Sequence, residues 1–121
     1  MTGAEGEEIA AGFLVKRGYR ILQRNYRTVL GEIDIVAREG NALVFVEVKA
    51  RSGSQFGPPQ VAVDLRKQAK MSRVALAYLR HKGMAPCDCR FDVVAVVKSS
   101  GGIQVELFQN AFEVADTGAG C

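Results

Sequence analysis

Two short segments carry carboxylates and an amine at a spacing that a β-hairpin would bring together. The first is Gly31-Glu32-Ile33-Asp34; the second, Glu47-Val48-Lys49, begins thirteen residues after Asp34. Both lie in stretches that alternate like β-strands, with Gly40-Asn41 between them as a two-residue turn signal. Such a turn pairs Glu39 with Ala42, so that paired positions sum to 81. Asp34 then stands opposite Glu47, and Glu32 opposite Lys49, with Cβ atoms about 4.5–5.5 Å apart. Two bare carboxylates at that separation repel by roughly 3 kcal/mol at an effective dielectric of ~20. A divalent cation between them turns the repulsion into a binding site. Mg2+ or Mn2+ uses one or two protein carboxylates and keeps positions for water and a substrate phosphate. Lys49, on the same face, can neutralise phosphate charge or orient and help deprotonate an attacking water. The plain alternative is a half-exposed hairpin whose Glu32, Asp34, Glu47 and Lys49 only form cross-strand ion pairs. An isolated E-x-K favours that alternative, but the hairpin register and the apolar residues around the charges favour a metal site.

These residues need a scaffold, and the chain reads as helix, three strands, helix, two strands. Thr2 and Glu5 form a capping box and Gly18 a stop, with Ile9, Ala10, Phe13 and Leu14 on one apolar arc between them. Glu7 lies at the border of that arc, from where it can reach the acidic pair as a further ligand. Tyr19–Arg27 reads as a first strand, followed by the hairpin strands Gly31–Arg38 and Ala42–Arg51. In the second hairpin strand Leu43, Phe45, Glu47, Lys49 and Arg51 share a face that begins apolar and ends charged. Ser52–Pro59 is a loop by composition, and Asp64 can cap a helix whose stripe is Leu65, Ala69, Ser72, Ala75, Leu76 and Leu79. Arg90–Val97 reads as a strand buried on both faces and Ile103–Phe108 as the last strand, with a right-handed crossover from Ala42–Arg51 to Arg90–Val97. Residues 1–113 are expected to form one domain, and 114–121, small and polar, a disordered tail.

Composition narrows the partners. A chain of 121 residues with 48% hydrophobic and 24% charged residues is an ordinary single globular domain. The net charge of +3 is compatible with nucleic acid without establishing it. No apolar run approaches a membrane span, and the acidic N-terminus lacks a secretory h-region, so the chain reads as cytoplasmic with no membrane partner. Cys87, Cys89 and Cys121 read as thiols rather than a disulfide framework, and zinc would need His81 at unusual spacing. His81 itself reads as a helix C-terminal cap or a surface residue. Arg66, Lys67, Lys70 and Arg73, with Arg51, can flank a phosphate backbone, although such charge runs are usually solvated faces. Lys67 stands out because it lies where the chain returns from the loop after the acidic strand. No aromatic stacking platform is evident, which argues against base-sequence reading.

Taken in order, Gly6-Glu7, Gly18-Tyr19-Arg20-Ile21-Leu22, Arg24-Asn25, Gly31-Glu32-Ile33-Asp34, Leu43–Lys49, Phe56-Gly57 and Arg90-Phe91-Asp92-Val93-Val94 resemble the uncharacterised bacterial family of YraN-like proteins, from about Gly6 to Val97. That family looks like a branch of the PD-(D/E)XK nuclease-like superfamily and is similar to archaeal Holliday junction resolvases. The resemblance implies a restriction endonuclease-like αβββαβ core, an α/β fold with a mixed central sheet flanked by helices. It also implies metal binding by Asp34 and Glu47, a catalytic Lys49 and an auxiliary acidic Glu7. Ile33 stands where the superfamily motif has proline, a position that carries no metal chemistry. The expected activity is a Mg2+- or Mn2+-dependent endonuclease hydrolysing DNA phosphodiester bonds at branched or otherwise structured DNA, with Arg51, Lys67 and Lys70 on the nucleic acid. The competing expectation is a non-catalytic nucleic-acid-binding module with the same fold. A homodimer is left open.

Overall fold

Thr2 starts the first helix, α1 (Gly3–Lys16): its hydroxyl accepts from the Glu5 N–H at 3.1 Å, and the Glu5 carboxylate accepts from the Thr2 N–H at 3.2 Å. The helix ends as abruptly. Gly18 takes a left-handed φ of +92°, and the N–H groups of Gly18 and Tyr19 close back on the carbonyls of Val15 and Leu14. Both caps are as the sequence predicts. In this computed structural model, which describes residues 2–52, 65–84 and 88–112, there follow β1 (Arg20–Thr28), β2 (Gly31–Glu39), β3 (Ala42–Ser52), α2 (Leu65–His81), β4 (Asp88–Ser99) and β5 (Gly102–Phe112). This is the αβββαβ core with one more strand.

The five strands form one mixed sheet in sequential order, β1-β2-β3-β4-β5. Only β3 and β4 run parallel, in register from Ala42–Asp88 to Ser52–Lys98; the other pairs are antiparallel. The central strands are apolar on both faces, as their sequence requires. Leu43, Phe45, Phe91 and Val93 pack under α2 with Met71, Val74, Ala75, Tyr78 and Leu79. Val44, Val46, Val94 and Val96 pack under α1 with Ala10, Ala11 and Leu14. Edge-to-face contacts of Tyr78 with Tyr26 (5.1 Å between centroids) and with Phe45 (5.8 Å) lock α2 onto the sheet.

Both helices are rotated from the faces read in the sequence. Helix α1 buries Gly6, Ala10, Ala11 and Leu14 and leaves Ile9 and Phe13 half-exposed, because its small side chains let the backbone sit close on the valine-rich sheet. Helix α2 buries Met71, Ser72, Val74, Ala75, Tyr78 and Leu79, whereas Leu65 is 81% exposed and Ala69 and Leu76 sit at the margin. Tyr78 and Met71 are the larger apolar surfaces, and the helix turns to bury them. Cys89 is disulfide-bonded, against the expected free thiol; its partner lies outside the described residues. Also outside them lie the loop expected after Ser52, the Asp64 cap, Phe56-Gly57, Cys87 and the expected tail at 114–121. Among the described residues no helix is long and apolar enough to cross a membrane.

Candidate functional site

The Gly40-Asn41 turn sets the predicted register: Glu39 pairs with Ala42, and Ile35 with Val46. Beyond Ile35 the two strands part. Asp34 does not continue the ladder; its Oδ2 accepts the backbone N–H of Val48 at 2.8 Å. Glu32 accordingly does not face Lys49 as expected. It pairs with Arg27 on β1, where the guanidinium lies 3.2 Å from its carboxylate. The alternation of β2 breaks at the same point, for Ile33 packs under α2 and Ile35 under α1. Across from Asp34, Asn25 interrupts β1 with a left-handed φ of +53°. The β1–β2 register itself runs on past this point, from Arg24–Ile35 to Tyr26–Ile33, so the parting at Asp34 lies between β2 and β3.

The opening brings the Asp34 carboxylate beside that of Glu47, which is only 8% exposed. Burial and then repulsion from Glu47 push Asp34 from its ordinary 3.8 up to about 7; the Val48 N–H opposes the rise, and Glu7 adds to it. Glu47 is faced by two ammonium groups. Lys67 Nζ lies 3.2 Å from its Oε1 and Lys49 Nζ 4.0 Å from the same oxygen. Burial, aided by the neighbouring Lys67, lowers the Lys49 pKa against the pull of Glu47. Burial works hardest against the charge on Lys67, but attraction to Glu47 and Asp34 and the hydrogen bonds to Lys49 and Glu47 together outweigh it, and the Lys67 pKa is raised.

The structure thus brings together Asp34, Glu47 and Lys49 from the sequence reading, and adds Lys67 from the first turn of α2. The ammonium of Lys67, expected to flank a phosphate backbone, lies on Glu47 in this structure. Its position on the segment returning from β3 was the signal that could have placed it there. Glu7 stays at the margin. With its amide turned to satisfy both neighbours, Asn25 donates to Glu7 at 2.9 Å and to Glu32 at 3.0 Å. Among the described residues no three His, Cys, Asp or Glu side chains converge tightly enough to hold an ion; Asp34 and Glu47 are two carboxylates side by side. Arg51 and Lys70 are exposed, and Lys70 lies along Gly31, where an added Cβ would come within 3.3 Å of its Cε.

A second buried acid makes the contrast that sets this pair apart. Asp92, fully buried, accepts from the Tyr19 hydroxyl (2.6 Å), from Arg90 Nε (2.9 Å) and from the backbone N–H of Asn110 (2.9 Å). Arg90 also pairs with Glu39 at 2.7 Å, and Gln109 donates to the Tyr19 hydroxyl at 2.9 Å. Burial and the bond to Asp92 push Tyr19 up to about 12, so it stays a donor. Asp92 is a satisfied structural acid. Asp34, with one N–H and a like charge beside it, is not, and divalent-cation chemistry matches that deficit. Asp34 and Glu47 are hard oxygen donors of the number that Mg2+ or Mn2+ typically takes from a protein.

The raised Asp34 predicts an inverted pH dependence. Its folded pKa lies above the unfolded one, so the stability it contributes is complete below about 3.8 and is lost as pH rises through about 7. Metal-free protein should therefore lose stability across that interval, while Mn2+ affinity rises as the proton leaves. Urea melts and calorimetric titrations between about pH 5.5 and about pH 8.5 check both slopes, and Asp34→Asn should flatten both. A wild-type Mn2+ affinity that is flat with pH would contradict the assignment.

The chain matches the uncharacterised protein family UPF0102 over residues 6–96. It is 49% identical over 114 residues to a UPF0102 protein of Syntrophus aciditrophicus, covering 94% of this chain and 90% of the relative. To a UPF0102 protein of Geobacter sulfurreducens it is 48% identical over 116 residues, covering 95% and 91%. To one of Moorella thermoacetica it is 55% identical over 94 residues, 78% of each chain. The family match, residues 6–96, spans Asp34, Glu47, Lys49 and Lys67. The chain belongs to the uncharacterised protein family UPF0102, the YraN-like family of the sequence reading.

Proposed function

We propose that this chain is a metal-dependent phosphodiesterase of the PD-(D/E)XK type acting on DNA. One observation carries the proposal: a strand pair is held open so that two carboxylates share a nearly buried place with a single backbone donor and two lysines. Asp34 and Glu47 would hold a Mg2+ or Mn2+ ion. Once bound, such an ion supplies Lewis acidity and an acidified water. The chain's own residues do the rest. Lys49, half-buried and with its pKa lowered, can donate a hydrogen bond to the charge growing on the phosphoryl oxygens, or take a proton from the attacking water. Asp34 holds the end of the β2–β3 ladder by taking the Val48 N–H on its carboxylate. Arg51 and Lys70, exposed at the same end of the sheet, fit the phosphate backbone to either side. The substrate proposed is branched or otherwise structured DNA, as the family resemblance implies.

The direct test is a panel of single-stranded, duplex, flapped and four-way-junction DNA incubated with purified protein. Cleavage should require Mg2+ or Mn2+, stop on chelation and be lost in Glu47→Ala. Binding across the panel without metal-dependent cleavage would favour the non-catalytic binding module. Cleavage that persists in Glu47→Ala would betray a contaminating nuclease. Arg51→Ala with Lys70→Ala should weaken binding and lower the slope of log affinity against log salt by about 1–2, which filter binding at several salt concentrations reads out.

A further inference from the structure

Glu47 carries more positive charge than its own hairpin provides. Lys49 comes from β3, but Lys67 comes from the first turn of α2, a separate element, and it is Lys67 that comes nearer: 3.2 Å against 4.0 Å to the same carboxylate oxygen. The formal charges of Asp34, Glu47, Lys49 and Lys67 cancel. A divalent ion added to that balanced set would put two further positive charges within a few ångströms of an ammonium already seated on one of its ligands. The two lysines differ in how freely they can yield. Lys49 is fixed within the β3–β4 ladder, and its side chain is only 20% exposed. Lys67 hangs on a four-carbon stem from a helix end, with 38% of its side chain open to solvent and so an outward path that leaves the sheet intact.

We propose that Lys67 is a built-in counter-cation, seated on Glu47 in the metal-free protein and displaced outward when a divalent ion binds between Asp34 and Glu47. The inference rests on the reading of Asp34 and Glu47 as metal ligands and adds the means by which that site is regulated. Metal-free protein keeps the buried Glu47 carboxylate paired while the ion is absent. Loading the ion exchanges Lys67 for the metal and frees its ammonium at the mouth of the site, where a phosphodiester would meet it. Metal loading and phosphate capture are thereby coupled through one side chain. The cost is affinity: the ion must compete with a tethered cation, so the wild-type site is weaker than its two carboxylates alone would make it.

Calorimetric titration of the full chain with Mn2+ alone, without DNA, tests this directly. Lys67→Met and the more polar Lys67→Gln should each bind Mn2+ about tenfold more tightly than wild type, because the competitor is gone. Arg80→Met removes the same charge from the far end of α2, roughly 20 Å along the helix, and should stay within about twofold of wild type. Asp34→Asn should abolish binding. Thermal melts in chelator establish that each variant is folded, and Lys67→Gln serves if the methionine leaves Glu47 too poorly paired to fold. Lys67 variants that bind no more tightly than Arg80→Met, with Asp34→Asn still abolishing binding, would overturn the counter-cation and leave the metal site standing. No Mn2+ binding by wild type or by either Lys67 variant would overturn both.

Discussion

Replacing Asp92 by alanine is expected to cost about 3–5 kcal/mol, the loss typical of breaking a buried ion pair from one side. Arg90 would keep Glu39 but lose its bond to the fully buried carboxylate, Tyr19 would lose its 2.6 Å acceptor, and the Asn110 N–H would be left without this partner. The network ties the end of α1 to β2, β4 and β5, so its failure loosens the whole α1 side of the sheet. In a domain of this size that is a fall in Tm on the order of 10–30 °C. Asp34→Asn, equally an acid-to-neutral change inside the sheet, should do the opposite. Without metal, and above about pH 7, it removes a repulsion from Glu47 while an amide oxygen can still accept the Val48 N–H, so stability should hold or rise by about 1–2 kcal/mol. Urea midpoints at constant slope measure both. An Asp34→Asn protein as damaged as Asp92→Ala would mean that Asp34 is a structural acid like Asp92.

Lys49→Ala is expected to slow cleavage by about 10²–10³-fold while leaving DNA binding within about twofold of wild type. The lysine faces the acidic pair and is far less exposed than Arg51 or Lys70, so its loss should appear in the chemical step. Lys49→Arg should not restore the rate. A guanidinium is larger, cannot give up its proton, and does not fit the place of a half-buried ammonium beside Lys67. Single-turnover rates at saturating protein separate this from a binding defect. An unchanged rate in Lys49→Ala would leave the proton and charge handling to Lys67 instead.

Much of this site was legible because it depends on local pattern. Gly40-Asn41 fixes a two-residue turn, the turn fixes the sum-to-81 register, and the alternation along Leu43–Lys49 fixes which side chains share a face. The caps of α1 were readable for the same reason: Thr2, Glu5 and Gly18 act on backbone groups at most five residues away. What the pattern could not reveal is where regularity is broken by a side chain. Asparagine is among the side chains that most readily take a left-handed φ, but its type alone does not say which asparagine will do so, and nothing in Asp34 announces that it takes the Val48 N–H where the β2–β3 ladder ends. The aim of Lys67 depends on how α2 lies across β2 and β3, and the sequence reading had that helix rotated. It gave equal standing to small and large apolar residues, whereas packing favours the larger surfaces of Met71 and Tyr78. The network around Asp92 is beyond the reach of any local pattern, because Tyr19, Arg90 and Gln109 lie on three different elements or their flanks.

The small side chains beneath α1 have a mechanical meaning. Gly6, Ala10 and Ala11 act as thin shims, setting the gap between helix axis and sheet, and Glu7 is carried by the turn they hold down. Thicken one shim, as Ala10→Leu would, and the helix tilts away by the breadth of the added methyl groups. Glu7 would then withdraw from Asn25, the β1 residue of left-handed φ opposite Asp34. The tolerance of the acidic site is thus set on the far side of the sheet, by residues that have no chemistry of their own.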